Sequence, residues 1–334
     1  MTLRRFAAIG MAASCVAAAG SAQAAGLDGG RLLSDFTVIA TENFNGAVET
    51  EGNMFVGGNF TATGPYNVNP DALGDVTVGS RSGAFFVGGD LTGSARLARG
   101  AAVIGGAVTG TLDMSNNPDK DVPGIVSTGV GTGVGGVEVD AVRAALESLS
   151  ADLGALGDTL GSAAHLSDQN DLRFTAVDGG GGFAVINVGA SWLANGTFKG
   201  FYDALNAPEY DLTVVVNVDG GGGAVSIGAN PSAPGQYTNV VFNFINTAQI
   251  TLNSAFNYTV LAPLSDIIQT GAGGKDGATV GKTITGGAEL RPYSNVYNFT
   301  GDLSFATADV PLPPSAAILA GALFGLGLLR RRSA

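Results

Sequence analysis

Three segments of this chain carry one six-residue pattern: Phe55-Val56-Gly57-Gly58-Asn59-Phe60, Phe86-Val87-Gly88-Gly89-Asp90-Leu91 and Val103-Ile104-Gly105-Gly106-Ala107-Val108. Each sets two apolar β-formers before two glycines, then a variable residue and another apolar one. The copies start 31 and 17 residues apart. A second repeat pairs Val177-Asp178 with Val218-Asp219, each followed by four glycines and a β-prone run, Phe183 to Val188 and Ala224 to Ile227. Short strands punctuated by glycine at recurrent, irregular intervals predict a β-solenoid, whose corners need positive φ or close backbone stacking. The competing architecture is a sandwich of antiparallel hairpins. It calls for in/out alternation along each strand, whereas Leu212 to Val216 and Asn239 to Phe244 set apolar residues side by side.

One stretch breaks the β pattern. Val139, Val142, Leu146, Leu149, Leu153, Leu156 and Leu160 recur at alternating spacings of three and four, one stripe of an α-helix, with Arg143, Glu147 and Asp152 off the stripe. A helix is predicted over about 138–165, with Glu138 and Asp140 at the end where acids meet the helix dipole. The heptad also suits a seam between chains, but Gly154, Gly157 and Gly161 interrupt it, which favours a helix laid against the flank of the β domain. The stretch from Pro118 to Gly136 reads as the connection that leaves the sheet and returns.

Both ends look like targeting segments. Arg4 and Arg5, the apolar run Phe6 to Gly20 and the small-x-small site Ala22-Gln23-Ala24 form a secretory leader, with cleavage expected between Ala24 and Ala25. Cys15, the one cysteine, lies in that leader, so the mature chain has no disulfide. The other end reads Val310-Pro311-Leu312-Pro313-Pro314, an apolar run from Ser315 to Leu329, then Arg330, Arg331 and Arg332. The run is short for a spanning helix, and its arginines would stay on the cytoplasmic side. This tail resembles the VPLPA-like form of the PEP-CTERM sorting signals, which implies recognition and removal by a membrane exosortase. Pro314 stands where that form usually has alanine, and a plain membrane anchor fits the same hydropathy. Residues 1–24 are therefore assigned as leader, 25–308 as the β domain and 309–334 as the sorting signal.

Without the five arginines of the two ends, the chain sets 11 basic against 28 acidic residues, a net charge of about −17. That balance argues against nucleic acid and anionic lipid surfaces as partners. With 45% hydrophobic residues and 53 glycines, the chain is neither a disordered acidic tail nor an ordinary helical domain.

Within the β domain, Asp35 to Ile39, Asn43 to Gly46, Val48 to Gly52 and Phe55 to Phe60 resemble the opening of the choice-of-anchor A family. Asn239 to Asn246, Val260 to Pro263, Thr283 to Leu290 and Tyr297 to Asp302 resemble its ending. The resemblance covers residue 33 to about residue 305, with Asn53 where the family often has arginine. It implies a β-helix with one long helix along its side, similar to bacterial surface adhesins and ice-binding proteins, displayed by varying C-terminal anchors.

Catalysis has few candidates. His165 is the only histidine and is placed at the end of the predicted helix, where the helix dipole favours such a residue without chemistry, and one histidine cannot make a histidine metal cluster. Asp178 and Asp219 are the one candidate carboxylate pair, and a turn aspartate capping its own backbone explains each without chemistry. Calcium is the one ion the composition leaves open, through Asn116 to Asp121 and the single Gly273-Gly274-Lys275-Asp276-Gly277 echo of a calcium repeat. Thr61/Thr63 and Thr283/Thr285 are the two threonine pairs that a flat ice- or polysaccharide-binding face would use.

The expectation is a mainly β, exported, surface-anchored, non-enzymatic protein without a cofactor: an adhesin or a component of the extracellular matrix or biofilm. The alternatives are an ice- or polysaccharide-binding β-helix and, further off, a carboxylate-dependent polysaccharide-cleaving enzyme. Expected partners are an exosortase-type sorting enzyme, extracellular polysaccharide or another cell surface, and the membrane through the C-terminal helix before processing.

Overall fold

A computed structural model describes residues 27–306 apart from 69–73, 134, 203–211, 229, 232–236, 254–255, 272–273 and 294–297. The leader with Ala22, Ala24 and Ala25 and the tail with Val310 to Pro314 and Arg330 to Arg332 lie outside the described residues. Among the described residues, no helix is long and apolar enough to cross a membrane.

The fold is mainly β. Its spine is a ladder of parallel strands in the order Val126–Ser127, Ala102–Ile104, Phe85–Val87, Met54–Val56, Val38–Ala40, Thr279–Gly286, Thr259–Gln269, Val240–Ile245, Thr213–Asp219 and Phe183–Gly189. Antiparallel pairing among the described strands is confined to two short hairpins, Val76–Val78 with Arg81–Gly83 and Ala163–His165 with Leu172–Thr175. The spatial order is not the chain order. Val38–Ala40 sits between Met54–Val56 and residues 279–281, so the first and last long segments of the domain are neighbours in mid-ladder.

The repeated glycine pairs explain how these strands stack. Phe55, Phe86 and Val103 are aligned in register, which places Gly57, Gly88 and Gly105 above one another just past the strands. A Cβ on Gly57, Gly88 or Gly105 would run into the backbone carbonyl of Thr41, Gly57 or Gly88 respectively. None of the three has positive φ, so glycine is required here for close approach and not for an unusual dihedral. The variable residue of the repeat also has a task. Asn43 Oδ1 accepts from Asn59 N (2.8 Å), Asn59 Oδ1 from Asp90 N (2.8 Å), and Asp90 Oδ1 from Ala107 N (2.7 Å), so each corner is tied to the next.

Alternate residues of the ladder enter two cores. Val38 and Ala40 join Phe60, Phe85 and Phe242 in one; Ile39, Phe55, Phe86, Val103, Leu261 and Val280 join the other. Burial on both faces accounts for the adjacent apolar residues in the sequence. The second core is roofed by the helix Val139–Gly154, which buries Val142, Leu146, Leu149 and Leu153 against the ladder of its own chain. At 1.5 Å per residue the helix is about 24 Å long, roughly five strand spacings. It lies within the connection that carries the chain from Val126–Ser127, at one end of the ladder, back to Phe183–Gly189 at the other.

The helix stops at Gly154, eleven residues short of the expected end at 165 and six short of the end of the leucine stripe at Leu160. Leu156 is half-buried and Leu160 is 94% exposed, while Ala163–His165 is a strand. The ladder sets the end point. Asn187, Asn217 and Asn243 are stacked in register beneath the last turn. Asn243 Nδ2 donates to Ser150 O (2.9 Å), Asn217 Nδ2 to Leu153 O (2.8 Å) and Asn187 Nδ2 to Leu156 O (3.1 Å). Asn217 Nδ2 also donates to Asn187 Oδ1, and Asn243 Nδ2 to Asn217 Oδ1, each at 2.9 Å. The amide stack thus adds side-chain donors to carbonyls at and just beyond the helix C-terminus, where intrahelical partners run out.

Two stability outcomes follow, both measurable by urea denaturation of the folded domain. Gly88→Ala costs about 3 kcal/mol, as overpacking against backbone does, whereas Gly124→Ala, at φ +80° with nothing within 4 Å, costs about 1 kcal/mol. Asn217→Ala removes the buried amide that donates to Leu153 O and Asn187 Oδ1 and accepts from Asn243 Nδ2, and costs about 2 kcal/mol.

Candidate functional site

A second parallel ladder runs through Ala224–Ile227, Gln249–Leu252, the later halves of Thr259–Gln269 and Thr279–Gly286, then Phe44–Gly46, Phe60–Val68 and Leu91–Leu97. It differs from the first in having one face free. Val225, Ile250, Ile267, Ile284, Phe44, Phe60 and Leu91 point into the core. The residues between them point outward because side chains alternate along a strand.

The outward residues align. Ser226, Thr251, Ile268, Thr285, Asn45, Thr61 and Thr92 are successive register partners, one from each strand. Thr92 Oγ1 then meets Thr109 Oγ1 at 3.0 Å. Ser226, Thr285, Asn45, Thr92 and Thr109 are exposed; Thr251, Ile268 and Thr61 are half-buried. With strands about 4.8 Å apart, the seven register partners extend over roughly 29 Å. The row has no charged member and presents hydroxyls and one amide at the strand period, interrupted once by Ile268, which suits contact with a ligand that itself repeats.

The two threonine pairs seen in the sequence are split by this register. Thr61 and Thr285 join the row. Thr63 instead donates to Gly46 O (3.2 Å), and Thr283 donates to Asp266 Oδ1 (2.8 Å) in a flanking position. Ser226, Asn45, Thr92 and Thr109 had no signal in the sequence, because the order of the strands in space is what lines them up.

The other sequence candidates are accounted for locally. Asp178 precedes Phe183–Gly189, whereas Asp219 pairs with Gly189 at its far end, so the two carboxylates lie beyond opposite ends of a ladder about 20 Å long. They form no catalytic pair. Backbone N–H groups of Gly180 and Gly182, with Gly181, hold the Asp178 carboxyl below its usual range, and Asp219 accepts from Gly221 N (2.8 Å). His165 is on a strand, not a helix end, with Nε2 2.9 Å from Thr175 Oγ1. In the segment Asn116 to Asp121, Asn117 is buried; its Nδ2 donates to Gly100 O (2.8 Å) and its Oδ1 accepts from Asp119 N (2.9 Å), so this is a stacking turn. At the calcium-repeat echo a cation is already built in. Buried Lys275 donates from Nζ to the carbonyls of Tyr258 (2.8 Å), Gly277 (3.1 Å) and Ala278 (3.3 Å), while burial draws its ammonium down to about 7. Arg291 Nε engages Asp276 at 2.9 Å.

Sequence reasoning missed one acidic group. Pairing of Leu290 with Thr50 brings Glu49, Glu51 and Glu289 together, their carboxylate oxygens within 4.8 Å of one another. Among the described residues these are the carboxylates close enough together that they could hold a hard cation. Asn67 Nδ2 (3.3 Å from Glu49) and Arg291 Nη1 (3.7 Å from Glu289) already lean on them. Burial first, and then the neighbouring Glu51, raise the Glu289 carboxyl above its ordinary range.

A raised carboxyl favours the folded state while protonated, so its contribution is full below the unfolded value of 4.5 and is lost as pH rises through the folded value. Glu289→Gln is therefore expected to raise the melting temperature at pH 7. The advantage over wild type shrinks as the pH falls from the raised folded value towards 4.5 and is gone below it, which thermal melts across that range will show.

The family model described as "Putative Ice-binding-like adhesive domain" matches residues 29–291. No curated protein and no solved structure matches the chain.

Proposed function

We propose that this chain, which belongs to the ice-binding-like adhesive domain family, is an exported, non-enzymatic surface adhesin whose strands wind as a β-solenoid around their common core. The adhesive description of the family supports a binding role. The long parallel ladders support the solenoid winding, and the leader and the tail from Val310 to Arg332 support export and display. On this reading the choice-of-anchor A likeness and the PEP-CTERM-like tail describe one product, handed to an exosortase and held at the cell surface or in the extracellular matrix.

The observation that carries the binding role is the outward row from Ser226 to Thr92. A rigid line of uncharged donors and acceptors is complementary to an ordered polymer such as extracellular polysaccharide. Each contact is weak, but many engage at once without the entropy of ordering flexible side chains. Ice is the second reading, since a flat threonine-rich row also suits a lattice of water.

Two measurements test this. Wild-type domain is expected to co-sediment with insoluble polysaccharide, and the triple variant Thr61→Glu, Thr92→Glu, Thr285→Glu to lose at least about tenfold in bound fraction with an unchanged melting temperature; undiminished binding sinks the row as the contact surface. Thermal hysteresis near freezing, abolished by the same variant, would move the ligand from polysaccharide to ice. For display, removal of residues 310–334 releases the protein into the medium, and unchanged retention by the cell counts against the sorting tail.

A further inference from the structure

A side sheet closes the core near the Phe183 end of the first ladder. It comprises Ala163–His165, Leu172–Thr175, Thr197–Phe201 and Asn230–Pro231. Its inward residues include Phe174, Phe198 and Phe201, all buried. Alternation sends Arg173, Thr175 and Lys199 to the outer face, and Tyr202 follows directly. Tyr202 is 51% exposed and is the one exposed Phe, Tyr or Trp ring among the described residues.

This ring is held. Tyr202 N donates to Phe174 O (2.9 Å). The His165 ring meets it at 4.9 Å between centroids and 85° between planes, and Arg173 Cζ lies 5.0 Å from its centroid. Each of those neighbours is braced in turn: His165 by Thr175 (2.9 Å) and Arg173 Nε by Asp171 (2.6 Å). The core beneath is complete without any of these groups. An exposed aromatic ring fixed by two braced polar partners is a preorganised contact, since the ordering that binding would otherwise demand is already done. The local charge differs from that of the chain. Arg173 and Lys199 lie on the outer face of this sheet, with Asp171 paired to Arg173 (2.6 Å), in a protein whose formal net charge is −12.

We propose that Tyr202, Arg173 and His165 form a second binding site, separate from the outward row, that takes a saccharide carrying a carboxylate, a hexuronate unit of an acidic glycan. The C–H face of the pyranose packs on Tyr202, as apolar sugar faces pack on aromatic rings. Asp171 occupies Nε of Arg173, and its terminal Nη groups donate to the carboxylate in a charge-assisted contact. His165 and Thr175 serve the neighbouring hydroxyls. A neutral saccharide gains the stacking and forgoes the ion pair, so acidic units are selected.

The test is titration of the folded, 15N-labelled domain with a glucuronate oligosaccharide and, separately, with a glucose oligosaccharide of equal length, read by amide shifts. Saturable shifts centred on residues 163–165, 173–175 and 199–202, and at least about tenfold preference for the glucuronate chain, are expected. Tyr202→Ala weakens both ligands about tenfold. Arg173→Gln removes the preference and leaves the weaker stacking; melting temperatures certify that both variants fold. Thr61→Val and Thr92→Val leave these shifts unchanged, which separates this site from the outward row. No saturable shift in the side sheet, equal affinity for both oligosaccharides, or wild-type affinity in Tyr202→Ala overturns the proposal.

Discussion

Backbone-on-backbone contact at the Gly-Gly corners is the constraint on which the molecule rests. Where Gly57, Gly88 and Gly105 stack, a side chain would meet a carbonyl oxygen of the preceding layer, and without that approach the strands on either side could not come to hydrogen-bonding distance. The same layers set the positions of everything outside them. The helix is seated on the apolar row that includes Val215, Val241 and Leu261, the amide stack meets its last turn, and Thr61 and Thr92 follow the glycine pairs into the outward row.

Part of this was legible in the amino-acid order. The glycine pairs mark the corners, the undivided apolar runs mark strands buried on both faces, and the stripe Val139 to Leu153 marks the helix. These are local patterns whose period is their structural cause. The mainly β expectation holds for the same reason, although the stacked glycines act through close approach and not through positive φ.

What was not legible depends on spatial order. Nothing local says that residues 279–281 stack on Val38–Ala40, so Thr285, Asn45 and Thr61 do not read as neighbours, nor do Glu289 and Glu49. The end of the helix was misjudged because the stripe continues to Leu160 while the carbonyl partners of its last turn come from three asparagines 31 to 93 residues further along. The paired Val-Asp-Gly repeats misled in the opposite direction: identical strings are used in non-equivalent positions, before one strand and after another. A loop aspartate satisfied by its own glycines carries no information about its distance from the next.

The mid-ladder meeting of the domain's two extremities bears on synthesis. As the polypeptide emerges, strands from Val38 to Val126 can stack by themselves, but one side of Val38–Ala40 stays open until the segment from Thr279 onward has been made. Closure of that seam joins residues some 240 positions apart, a long loop to close and hence a slow step. Premature pairing at an open strand edge is the hazard of such a delay. Folding that starts only once both flanks of the seam are present avoids that hazard, since Val38–Ala40 then finds both of its ladder neighbours at the outset.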